Sequence, residues 1–143
     1  MEVSKVKIKT ILLILILNLL SIAHGACRNY DRIARQADVV SADLNNLYFE
    51  SRIAFPHSWN LLDNIRRVEM DATFLYRVTR SGSMPCWQTK SNFSNLEKSA
   101  EVLRRHFSQF SRRRDVTPIT YDWRRFIDSY KRLEIYMINA REE

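Results

Sequence analysis

Residues 61–75 read LLDNIRRVEMDATFL, and Leu61, Ile65, Val68, Ala72 and Leu75 recur in it at intervals of four, three, four and three. On a helix of 3.6 residues per turn that spacing keeps all five side chains on one face; on a strand it would scatter them over both. The residues between them are mostly charged or polar, so the helix has one face to bury and one for water. The same rhythm returns three times outward from this stretch. It runs through Tyr30, Ile33, Ala37, Val40, Leu44 and Leu47, through Leu96, Ala100, Leu103, Phe107 and Phe110, and through Trp123, Phe126, Tyr130, Leu133 and Met137. Four helices with one apolar face each bury those faces against one another, so the expected fold is all-α, a four-helix bundle.

The punctuation between stripes agrees. Pro56, the run Ser81-Gly82-Ser83-Met84-Pro85, and Pro118 separate the four periodic segments. Ser94 followed by Glu97 has the form of a capping box opening the third helix, and Ser58 and Asp122 are candidate N-caps for the second and fourth. The expected helices are roughly 28–50, 58–80, 94–114 and 121–140. A 22-residue helix is about 33 Å long. The first connection spans at most about 25 Å when extended, so the first two helices are expected to run antiparallel.

Two cysteines are present, Cys27 at the start of the first helix and Cys86 after the second. Antiparallel neighbours bring those points to one end, within the roughly 7 Å between Cα atoms that a disulfide requires. In the chain-entropy account, closing so long a loop contributes about 4 kcal/mol.

The compartment is read from residues 1–25. Lys5, Lys7 and Lys9 precede the apolar run Ile11 to Leu20, and Ala23-His24-Gly25 is a small-x-small cleavage site, the three-part form of a signal peptide. The apolar run is short for a membrane span of about 20 residues. The expected product is a secreted, extracellular domain over 26–143 with no membrane insertion after signal removal. Losing the leader takes three Lys and one Glu from 23 basic and 16 acidic side chains, leaving net +5. Gly82 is then the one remaining glycine, which leaves little material for hairpins or phosphate-cradling loops.

Chemistry-bearing constellations are missing. His57 and His106 are the histidines outside the leader, and a zinc site would need further ligands. The serines lack a glycine-rich elbow, and the acidic residues fall at salt-bridge spacing along helix faces. No catalytic site, metal site or cofactor is expected, and no enzyme. Binding is the alternative to chemistry. Arg104, Arg105, Arg112, Arg113 and Arg114 crowd the third helix, and Arg124, Arg125, Lys131 and Arg132 follow on the fourth. Side by side they would form a positive face for heparan sulfate or an acidic receptor loop. Solvated helix faces and C-terminal cations give the same pattern without a ligand. No nucleic-acid motif accompanies the charge. Asn92-Phe93-Ser94 is an N-glycosylation sequon, expected to be exposed where a loop meets the third helix. Ile127, Ile135 and Ile138 lie partly off the fourth stripe, as a patch for a partner or a widened core face.

Pro85-Cys86-Trp87, Leu96-Glu97-Lys98-Ser99-Ala100 and Phe110-Ser111-Arg112-Arg113, with Ala26-Cys27 ahead of a helix, resemble the cytokine-like protein 1 family over roughly residues 26–115. The family carries further cysteines, and Ser111 and Tyr130 stand where two would be expected; residues 121–143 do not match it. The resemblance implies a secreted signalling protein of the cytokine type acting through a cell-surface receptor. Helical cytokines, however, run up-up-down-down with two long crossovers, and the first and third connections read here are short, the reverse of that expectation. A second class fits the aromatic stripes: a secreted carrier holding a small apolar ligand in the bundle core.

Overall fold

The computed structural model describes residues 8–16 and 25–141. The expected leader falls partly on 8–16, which are helical with exposed side chains; the rest of it, including most of the cleavage site, lies outside the described residues. The remainder is helical: α1 Tyr30–Ala54, α2 Trp59–Thr79, α3 Cys86–Ser111, a 3-10 turn Thr117–Ile119, and α4 Thr120–Ile138. Among the described residues there is no strand.

The stripes form the core. Ile33, Val40, Leu44 and Leu47 of α1, Leu61, Ile65, Val68 and Leu75 of α2, Leu96 and Leu103 of α3, and Phe126 and Leu133 of α4 have no solvent exposure. Each such side chain contributes about 1.5–3 kcal/mol on leaving water. Tyr30, Phe110, Trp123 and Ile127 sit at its edge, partly buried against it, which makes Ile127 a widening of the core face.

α1 packs against α2 and α4, and α2 against α3. α3 and α4 approach through large rings: Phe107 stacks on Trp123 at 3.8 Å and Phe93 on Tyr130 at 6.3 Å. Polar ties set the register. Ser41 meets Thr73 at 2.7 Å, and Arg66 donates to Asn45 at 3.1 Å. On the other side Asn29 donates to the Tyr136 carbonyl, Gln36 to that of Ser129, and Arg125 pairs with Asp43 at 2.9 Å. In both sets, partner numbers fall as α1 numbers rise. The connections 55–58, 80–85 and 112–119 are short beside helices of 19 to 26 residues.

Cys27 and Cys86 are bonded, with Cα atoms 4.4 Å apart. The segment before α1 is held from two sides: Cys86 N–H donates to the Gly25 carbonyl and Arg28 N–H to that of Arg141. Gly82 closes α2 at φ 68°, and a Cβ there would lie 2.6 Å from the Tyr30 ring. Only glycine combines that backbone with so close a ring.

Two local readings are corrected. α3 starts at Cys86, not near residue 94, so Ser94 and Glu97 are mid-helix and cap nothing. Pro85 supplies the turn into the helix with φ −56° and ψ 141°, and Cys86, Thr89 and Phe93 extend the buried stripe backward at intervals of three and four. A capping-box sequence caps only where the chain ahead of it is non-helical, and here the disulfide and Pro85 start the helix two turns earlier. Ser58 does precede α2 but makes no side-chain cap bond, and Asp122 lies inside the first turn of α4.

Candidate interaction surfaces

Among the described residues no three His, Cys, Asp or Glu side chains cluster as a metal site. His57 and His106, far apart in sequence, line one open hollow of about 320 Å³ with Trp59 and Phe110, at the end where α1 meets α2 and α3 finishes.

The predicted basic face divides. Arg105 is bound to Glu101 at 3.1 Å on its own helix. Arg125 is occupied by Asp43, a carboxylate only 5 % exposed, and ties α4 to α1. Arg104 lines a polar cleft between α3 and α4 with Glu97, Glu101, Tyr130 and Glu134. Burial, then the charges of Glu134 and Glu97, push the Tyr130 phenol well above its ordinary range. Arg112, Arg113, Arg114 and Arg124 differ. They are exposed and, like Arg104, none lies within ion-pair distance of a carboxylate among the described residues. The stacking of Phe107 on Trp123 puts the start of α4 beside the last turns of α3, so these four arginines share one end. The nearest acid in sequence, Asp115, is engaged. Its carboxylate accepts the Thr117 hydroxyl at 2.6 Å and the Thr117 N–H at 3.0 Å, which hold its pKa below the ordinary value.

Asn92 lies in the second turn of α3 rather than in a loop, half-buried, with its amide 3.4 Å from the Met84 sulfur. The disulfide sits at this opposite end. Ile135 and Ile138 are exposed on α4. The aromatic residues of the third and fourth stripes touch one another, Trp123 against Phe126 at 5.5 Å and Phe126 against Tyr130 at 5.9 Å.

The main surface that sequence reading missed belongs to α1 and α2. Phe49 and Ile53 on α1, and Trp59, Met70 and Phe74 on α2, are large apolar residues at least 47 % exposed, with Ile53 at 76 %. Arg66 lies over the Tyr48 ring at 3.6 Å between them. A signal was available: Phe49/Ile53 and Met70/Phe74 are both i,i+4 pairs about half a turn from the core stripe. Surrounding charges disguise them. Comparison of the chain with known protein families, with characterised proteins and with solved structures finds no match.

Proposed function

We propose that this chain is a secreted helical signalling ligand that acts through a cell-surface receptor and is retained by sulfated glycosaminoglycan, with the four unpaired arginines as its anion-binding end. The observation that carries this reading is that Arg112, Arg113, Arg114 and Arg124 are exposed together without acidic partners, while Arg105 and Arg125 are consumed internally. Three of them, Arg112, Arg113 and Arg114, follow α3 in a turn rather than lying on the helix as expected, and unneutralised guanidinium groups suit sulfate or carboxylate recognition. The leader pattern and the disulfide support an extracellular site of action. No described helix is long and apolar enough to cross a membrane.

The frame we propose is an up-down-up-down four-helix bundle, with α1 and α2 antiparallel. Its support is the register of polar ties and the short connections. The four residues 55–58 reach about 14 Å, too little to return along a helix of about 32 Å. The reading therefore rests on the surface and not on the long-crossover topology of helical cytokines. The N-linked glycan proposed at Asn92 would be added before α3 forms and would displace the contact with Met84.

The test is binding of labelled, secreted protein to cells with and without heparinase. Saturable binding that survives the enzyme supports a protein receptor, and a heparinase-sensitive fraction supports retention; no saturable binding to any cell type overturns the reading. Arg112, Arg113 and Arg114 replaced by Ser should elute from heparin at lower salt, and unchanged elution would remove the arginine end from the proposal.

A further inference from the structure

On α1, Asp38, Asn45 and Arg52 recur at seven-residue intervals; on α2, so do Asp63, Met70 and Arg77. Seven residues are nearly two full turns, so each trio forms a row along one side of its helix. Both rows border the α1–α2 seam. Asn45 accepts from Arg66 of α2, and Met70 lies between Arg66 and Thr73, the residues that reach α1. Each row is about 21 Å long, acidic at the end earlier in sequence, uncharged in the middle and basic at the far end. Because the helices run in opposite directions, the register brings Asp38 within a turn of the level of Arg77, and Arg52 within a turn of the level of Asp63.

The four charges therefore stand at the corners of a rectangle, with signs that alternate around it. All four are exposed, and none has an ion-pair or hydrogen-bond partner among the described residues. Of the charges nearby, Arg35 holds Asp31 at 2.7 Å and Arg66 holds Glu69 at 3.4 Å, while Arg67 and Arg80 of α2 are exposed without an ion-pair partner among the described residues and add positive charge beside Asp63 and Arg77. Between and beside the corners lie Phe49, Ile53, Trp59, Met70 and Phe74, with shallow hollows at each end lined by Met70, Phe74 and Arg77 and by Tyr48, Arg52 and Trp59.

A rectangle of alternating charge is complementary to itself. Turned face to face about a two-fold axis along the helices, Asp38 meets Arg77 of a second copy and Arg52 meets Asp63. Turned about an axis across the helices, Asp38 meets Arg52 and Asp63 meets Arg77. Either way every corner finds the opposite sign, which is the condition an isologous interface must satisfy. We propose that the α1–α2 face is a homodimer interface, in which the apolar residues supply affinity and the four corner charges set orientation. The partner on this face is thus a second copy of the chain. The dimer would present its two arginine ends to separate anionic sites, but the proposal does not depend on what those ends bind. A weak association, of roughly micromolar order, is expected of an exposed apolar face ringed by charge.

Sedimentation equilibrium of the secreted protein tests it. The wild type should pass from monomer to dimer with rising concentration. Arg52→Asp should weaken association at least tenfold, and Phe49→Ser at least as much, with helical circular dichroism unchanged. Inverting all four corners together (Asp38→Arg, Arg52→Asp, Asp63→Arg, Arg77→Asp) should restore association, while a mixture of that variant with wild type should form no mixed dimer. Rescue of Arg52→Asp by Asp63→Arg would place the axis along the helices; rescue by Asp38→Arg would place it across them. The proposal is overturned by a wild type that stays monomeric to about 100 μM, by an Arg52→Asp variant that dimerises as the wild type does, or by a four-corner inversion that stays monomeric although folded. A monomeric wild type whose cell binding is lost in Phe49→Ser would assign the face to a different protein instead.

Discussion

The outward faces of the α1–α2 pair and the α3–α4 pair are built to different plans. The first carries Phe49, Ile53, Trp59, Met70 and Phe74 among charges of both signs. The second exposes Trp87, Val102, Tyr121, Ile135 and Ile138 as well, but its exposed charge is mostly basic: Lys98, Arg104, Arg105, Arg124, Lys131 and Arg132 against Glu97, Glu101 and Asp128. Both pairs meet the core through the same rhythm of threes and fours, so folding places no demand that distinguishes them. The difference resides in positions that the core does not use. A face of balanced charge and exposed rings suits a macromolecular surface of like construction, whereas unpaired arginines suit an anion.

Separating the two pairs is the most severe way to break this comparison. Cys27 belongs to the first and Cys86 to the second. Replacing both by Ser should lower stability by about 4 kcal/mol, seen as a fall in the thermal midpoint of about 15–25 °C. A midpoint within a few degrees of wild type would show that side-chain packing alone holds the pairs together. Arg125→Met removes the tie between α4 and the buried Asp43 carboxylate, and about 1–3 kcal/mol should be lost because the guanidinium is itself half exposed. A urea titration measures it, and Asp43→Asn in the same background should recover part of the loss.

The two outer faces should be separable without touching stability. Phe49→Ser and the Arg112, Arg113, Arg114→Ser triple variant should each change unfolding free energy by less than about 0.5 kcal/mol. The first should alter only self-association and the second only heparin elution. Cross-effects would mean that the two faces act as one site. The smallest effect concerns Tyr130. Below pH 10.0, the ordinary value for a tyrosine, its phenol is protonated in both the folded and unfolded chain, so the proton has no influence on stability. Above that pH the unfolded chain releases the proton and the folded one holds it, because the site is buried and flanked by Glu134 and Glu97. Stability is therefore lost as pH rises past 10. Tyr130→Phe should lose less between pH 8 and pH 10.5 than wild type, as read from the urea midpoint.

Much of the architecture was legible from spacing. Leu61, Ile65, Val68, Ala72 and Leu75 are all buried, and so are the main members of the other stripes. The start of α3 was misread because Ser94 and Glu97 form a local pattern whose meaning depends on what precedes it. Cys86, Thr89 and Phe93 carried the better signal, since they continue the spacing of Leu96. The basic residues were legible as a composition but not as a site. Arg125 is matched to Asp43, more than eighty positions away, and no local rule pairs them. The apolar residues of the α1–α2 face were hidden in the same way, since Phe49 and Met70 fall on a common face only when two helices are laid side by side.

The chain by itself therefore determined that four helices follow residue 26 among the described residues, which face of each is buried, and that two cysteines lie where a bond can form. Those are consequences of short-range geometry: a turn of 3.6 residues, the stiffness of proline, the reach of a short connection. The tertiary structure alone decided which arginines pair with a carboxylate, and the rectangle we propose from Asp38, Arg52, Asp63 and Arg77 rests on the register of α1 against α2. Charge pairing and surface shape depend on distances through space between residues remote in sequence. Periodicity carries no record of which helix lies beside which, or in which direction it runs.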